Sequence, residues 1–144
     1  MTEDDALVPD RTRLFRRVHS EQVIWDGNEG RLRPTSATFR QHELSVNLGS
    51  VMAANGQRAG HAVRNRPHHH LVALTAGFVR AEEQTICADP QEDDDSHGNV
   101  VGDKPKSRRN LFARHASWSV LRREELSPEH AAHADGVTVD DASY

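Results

Sequence analysis

Short apolar runs, separated by charged or glycine-rich stretches, dominate the chain, and few of them recur at helical spacing. RLFRRVH (13–19) sets Leu14, Phe15 and Val18 among basic residues and predicts a first strand. QVIWD (22–26) is a second β-prone run. It is closed by DGNEG (26–30), where Asp-Gly and Gly supply positive φ at little cost and mark a turn. RLRPTSATF (31–39) reads as extended or looped, because Pro34 biases Arg33 away from helix. ELSVNLGSVMAANG (43–56) opens as a strand over Leu44–Leu48. It then turns into a short helix, with Ser50 as its cap and Gly56 as its stop. After a basic loop at 57–67, LVALT (71–75) is apolar on both faces. It predicts a central strand buried on both sides and packed by Phe15, Val46, Ile86 and Phe112.

The second half continues the pattern. AGFVRAEEQ (76–84) fits a single helical turn, QTICAD (84–89) a strand stopped by Pro90, DPQEDDDSHG (89–98) an exposed acidic loop, and NVVG (99–102) a short strand. KSRRNLFARHA (106–116) is the best helix, with Leu111, Phe112 and His115 on one side and arginines over the other. SWSVL (117–121) is a last strand. The order is irregular and strands dominate. We therefore expect a small single α+β domain, with a mixed or antiparallel sheet of about five to six short strands and one or two short helices. Its expected extent is 12–122, between a disordered acidic leader (1–11) and a disordered acidic tail (123–144) that lack regularly spaced large apolar residues.

Charge refines this picture. The 144 residues carry a net charge of −4, but in blocks. Residues 1–10 hold four acids, 11–80 eleven arginines against four acids, 81–103 eight acids and no Arg or Lys, 104–123 seven bases, and 124–144 six acids. Such blocks either neutralise one another within the fold or leave the basic middle to bind an anion while the acidic segments shield it. The single cysteine, Cys87, excludes an internal disulfide. No run approaches the roughly 18 apolar residues of a membrane span, and MTEDDALVPD lacks the features of a signal peptide. These features predict a cytoplasmic protein with no membrane association. The arginine bias, with only Lys104 and Lys106 as lysines, implies a GC-rich bacterial genome.

Two groups of side chains invite chemistry. In RNRPHHHLVAL (64–74), His68 and His70 would share a strand face with Cβ atoms roughly 7 Å apart, a spacing that can chelate. A third ligand would have to come from elsewhere, such as His61, His97 or Asp89, and no H-x-x-x-H, H-E-x-x-H or C-x-x-C is present, so no metal site is expected. The second group is Arg17, His19, Arg33 and Ser36, joined by His97 from the end of the acidic loop. Arg17 and His19 share a face through their spacing of two. Guanidinium, imidazole and hydroxyl groups together suit a phosphate or carboxylate. Set against this, Glu21, Asp26 and Glu43 are local acids able to neutralise these arginines. KSRRNLFARHA alone, without interleaved aromatics, makes nucleic acid an improbable partner.

The order R-x-H (17–19), R-P-x-S-x-x-F (33–39), L-S-V (44–46), D-P (89–90), H-x-x-V-x-G (97–102) and Trp118 resembles a group of small uncharacterised bacterial proteins of about 110–150 residues. That resemblance implies one compact domain and carries no mechanism. LFRRVH followed by PTSATF is also similar to the opening strands of ADP-ribosyltransferase-like domains. The resemblance implies an NAD-using transferase, although Glu82 and Glu83 are adjacent here rather than spaced by one. The expected function is thus binding of an anionic, phosphate-bearing small molecule through Arg17, His19, Arg33, Ser36 and His97. An ADP-ribosyl- or phosphotransferase-like enzyme and a non-catalytic protein-interaction module are the alternatives. No cofactor is indicated by any motif.

Overall fold

The computed structural model describes residues 3–135, 137 and 139. They form an α+β domain in which β1 (Arg13–His19), β4 (Glu43–Leu48), β5 (His69–Thr75), β6 (Thr85–Ala88), β7 (His97–Val101) and β8 (Ser117–Val120) build one sheet. Its order is β6-β7-β4-β1-β5-β8, and every neighbouring pair is antiparallel. A separate ribbon pairs β2 (Val23–Asp26) with β3 (Arg31–Pro34). Four short helices occur among the described residues: α1 (Gly49–Ala54), α2 (Ala76–Ala81), α3 (Lys106–His115) and α4 (Pro128–Ala131). The chain crosses from one side of the sheet to the other through α2 and returns through α3.

The expected strands recur nearly residue for residue, because each apolar run is bounded by residues that cannot continue it. Asp26 shows how the ribbon turns. Its Oδ1 accepts from the backbone N–H groups of Asn28 and Glu29 at 2.9 and 3.0 Å, and its carbonyl accepts from Gly30, whose φ of +65° suits glycine. The helix after β4 departs from expectation at its start. Leu48 occupies the cap position with no side-chain cap bond, and Ser50 is already the second helical residue. Gly49 opens the helix because a Cβ there would lie 2.8 Å from the Arg13 carbonyl oxygen. Gly56 follows the helix with φ +71°, as expected of a stop.

Strand alternation sends Leu14, Val18, Val46, Leu48, Val72 and Leu74 to one face of the sheet. There the β2–β3 ribbon, the turn at 36–39 and α3 cover them to form the main core. Phe39 and Phe112, both fully buried, meet edge to face with centroids 6.1 Å apart. The opposite face is covered only in part. Phe15, Leu71 and Ala73 pack there against Met52, Ala59, Ala62, Val63 and Val120 in a smaller core. LVALT is buried on both sides as expected, but it lies one strand from an edge, and β1 and β4 take the centre.

The expected leader and tail fall partly outside the described residues, at 1, 2, 136, 138 and 140–144. Their described parts touch the sheet and helices. The Asp5 N–H reaches the Ile86 carbonyl at 2.7 Å, Val8 and Leu126 are buried in the main core, and His133 stacks on Trp25. Contacts therefore extend beyond 12–122 at both ends. Phe112→Ala is expected to cost about 3–5 kcal/mol in urea unfolding, as for a buried aromatic that leaves a cavity. Leu7→Ala, at a side chain 90% exposed, should stay within about 0.5 kcal/mol.

Candidate functional site

The half-covered face of the sheet carries a cleft of about 660 Å³. Its floor is polar. Phe15 pairs with Asn47, and Asn47 with His97, so Arg17, Ser45, Asn47 and His97 stand on the same face. One wall is the segment 57–66, which brings His61, Arg64 and Arg66. The other is the acidic loop, bringing Glu92, Asp93, Asp94 and Asp95. The acidic wall is tied to the floor through the buried Asn47, whose Nδ2 donates to Asp94 Oδ1 and to Ser96 Oγ, both at 2.8 Å.

Arg17 is fixed between the walls. Its Nε donates to the Ala62 carbonyl at 2.7 Å, and its Nη2 lies 4.0 Å from Asp94 Oδ2. Burial lowers its pKa most, the charges of Arg66 and Arg64 lower it further, and only Asp94 opposes them. Arg17 thus stands in the positive field of Arg66 and Arg64. His61 is pushed the same way, by burial and then by Arg64, which favours its neutral form. His97 lines the cleft with Nδ1 3.0 Å from the Asp89 carbonyl. Donation to that carbonyl puts the ring proton on Nδ1 and leaves Nε2 as an acceptor in the neutral ring.

Of the expected site residues, the structure brings together Arg17 and His97 and separates the rest. His19 sits on the Arg17 face, but its Nδ1 accepts from the Glu21 N–H at 3.1 Å to cap the turn at 20–22, and its ring meets His69 edge on. Arg33 belongs to the ribbon over the other face. Its Nε donates to Asp26 Oδ2 at 2.7 Å, and this contact holds the Asp26 carboxyl below the usual carboxylate range. Ser36 starts the turn whose Thr38 and Phe39 enter the main core. The proposed convergence of Arg33 and Ser36 with His19 is thus replaced by local neutralisation inside a hairpin. His61, Arg64, Arg66 and Asn47 were not singled out as one site; the opposite signs of the 57–67 and 89–98 segments were the available signal.

The histidine run is also rearranged. His68 adopts φ +64° outside the strand, is exposed, and places Nδ1 2.7 Å from Glu125 Oε2. His70 lies inside β5, fully buried, so the two do not share a chelating face. Among the described residues no group of three or more His, Cys, Asp or Glu side chains is placed to hold a metal ion. His70 instead joins Ser20 at 2.9 Å through Nε2, while its Nδ1 accepts from the Arg122 N–H at 3.0 Å. The ring proton must then be on Nε2 and be given to Ser20, whose hydroxyl donates to the Glu125 carbonyl at 2.5 Å. A serine held this way has no base to activate it, and the network ties β5 to the chain on either side of it.

Comparisons with protein-family models, with curated proteins and with solved structures returned no match.

The His70 network has a pH consequence. Burial, then the charge of Arg122, lowers the pKa of His70 to about 4 from an ordinary 6.5. Between those values the unfolded chain takes up a proton that the folded chain refuses. Stability should be level above about pH 6.5 and fall, by on the order of 3 kcal/mol from this group, as pH drops toward 4. Urea unfolding at stepped pH should show that slope, and His70→Gln should flatten it.

Proposed function

We propose that this cleft binds a phosphorylated sugar or a nucleotide. The observation behind this reading is the pairing of opposed walls in one concave space: Arg64 and Arg66 on one side, Glu92 to Asp95 on the other, and Arg17 between them. Guanidiniums accept a phosphate through paired, charge-assisted hydrogen bonds. Carboxylates accept hydrogen bonds from ribose or other sugar hydroxyls, as acids do in nucleotide sites. A ligand with a dianionic end and a hydroxyl-rich body satisfies both walls at once, which neither a bare anion nor a neutral sugar does. The polar floor of Ser45, Asn47 and His97 adds donors and acceptors that orient such a body. The reading keeps the expected ligand class, an anionic phosphate-bearing small molecule. It moves the site from Arg33 and Ser36 to the 57–66 segment and narrows the class by the acidic wall.

Ribose 5-phosphate and AMP are suitable probes, with inorganic phosphate as the reference. Calorimetric titration should show either sugar phosphate binding more tightly than phosphate alone. Arg66→Ala removes one charge-assisted contact, worth about 1.5–3 kcal/mol, and should weaken binding about tenfold or more. Arg114→Ala, exposed on α3, should leave it unchanged. Absence of heat with both sugar phosphates, or equal loss in the two variants, would discard the reading.

A further inference from the structure

The basic wall of the cleft ends in a turn that a distant part of the chain holds in place. The Arg66 N–H donates to the Val63 carbonyl at 3.2 Å to close this turn, and Arg64 and Arg66 carry its charge to the cleft. Asn65 within it and His68 just after it have φ of +60° and +64°, a left-handed backbone uncommon for residues other than glycine. Such a backbone persists where its surroundings fix it. Here the segment that follows β8 supplies the fixing contacts. The Arg122 guanidinium donates through Nη1 to the Arg66 carbonyl at 3.0 Å and through Nη2 to the Val63 carbonyl at 2.9 Å, so one planar fork spans both ends of the turn. Neither Arg122 nor Glu125 lines the cleft itself. We infer that residues 122–125 form a clamp on the cleft, in which Arg122 is a positioning residue that holds Arg64 and Arg66 at the wall, so that docking of this arm and filling of the cleft favour each other.

The arm is itself anchored on several elements. The Arg122 N–H donates to Nδ1 of the buried His70 at 3.0 Å. Glu125 Oε2 accepts from the His68 N–H at 3.1 Å and lies 2.7 Å from His68 Nδ1, which secures the second left-handed residue. The Glu125 carbonyl accepts from Ser20 Oγ, and Leu126 is buried in the main core. Arg17 completes the arrangement from within the cleft, since its Nε holds the carbonyl of Ala62, the residue before the turn. Freeing the turn from the arm lets its backbone relax toward ordinary φ and takes Arg64 and Arg66 out of position. A ligand that engages those two guanidiniums holds the turn, and by linkage it holds the arm. The ligand coupling rests on the sugar-phosphate reading, whereas the hold of the arm on the turn does not.

Amide exchange followed by NMR on the full chain, with calorimetry using ribose 5-phosphate, tests both parts. The probes are the Arg64 and Arg66 amides, which donate to the carbonyls of His61 and Val63 and not to the arm. Arg122→Ala and Glu125→Ala should each speed their exchange about tenfold or more, while the amides of β4 keep the parent's protection. Both variants should also bind ribose 5-phosphate several-fold more weakly. Glu125→Ala is the sharper case for binding. Loss of an acid would by electrostatics alone tighten the hold on an anion, whereas loss of the clamp weakens it. Unchanged exchange at Arg64 and Arg66, or an equal rise in β4, overturns the proposal. So does binding of ribose 5-phosphate to Glu125→Ala as tight as to the parent. If the parent gives no heat with ribose 5-phosphate or AMP, the sugar-phosphate reading falls, and the exchange result alone decides for or against the clamp.

Discussion

The antiparallel ladder between β1 and β5 is the constraint on which the other parts depend. Seven pairs run in register from Arg13 opposite Thr75 to His19 opposite His69. The side-chain period of two then divides β1 without exception: Leu14, Arg16 and Val18 go to the closed face, and Arg13, Phe15, Arg17 and His19 to the half-open one. A slip of one residue would drive three cationic or imidazole groups into the main core and expose Leu14 and Val18. The same pairing thus excludes the alternative register and assigns Arg17 to the cleft. The cleft exists because α1 and the 57–66 segment cover only the middle of that face, over Phe15, Leu71 and Ala73.

Cations near the sheet are held largely by main-chain carbonyls rather than by acids. Arg16 donates to the carbonyls of Thr38 and Ser45. Arg122 donates to those of Arg66 and Val63. Buried Lys104 donates to those of His42, Val100 and Gly102. A carbonyl fixes a cation in direction without cancelling its charge, and desolvation remains: burial pushes Lys104 down to about 8, with Asp103 opposing, and lowers Arg16 as well. Carboxylates are used elsewhere, as clamps between segments. Arg80 holds Asp4 and Asp10, and Arg108 lies beside Glu82 and Glu83. The alternating charge blocks thus meet at these clamps, while several cations of the sheet rest on carbonyls instead.

The strands were legible because each is a local statement: an apolar run, its alternation and a terminating residue. DGNEG announced its turn, and Gly56 its stop. Helix α1 was legible in place but not in its start, since the reason for Gly49 is a carbonyl on β1 thirty-six residues earlier. The candidate site was legible by halves. Arg17 stands out by its place on a strand, and His97 by its place at the end of the acidic loop. Arg33 looked equally apt, and its fate turned on Asp26, seven residues away and already visible as a possible partner. His61, Arg64 and Arg66 gain meaning only when the 57–66 segment meets the 91–97 loop across the sheet. Nothing local encodes that meeting, which comes from the chain crossing through α2 to reach β6 and β7. In the histidine run, equal spacing suggested equal roles. The positive φ of His68 broke the alternation one residue before the strand began.

The contacts of residues 3–5 bear on how the protein behaves at high concentration. β6 is an outer strand, and its free side offers backbone groups that another chain can pair with. Here the Ile86 carbonyl accepts from Asp5, the Ile86 N–H donates to the Asp4 carboxylate at 2.9 Å, and the Cys87 thiol meets the Glu3 carbonyl. The acidic leader thus works as a guard on the sheet's rim, occupying hydrogen-bonding positions and surrounding them with like charge. Such a cover takes up part of the hydrogen-bonding row through which two uncovered sheet edges would pair.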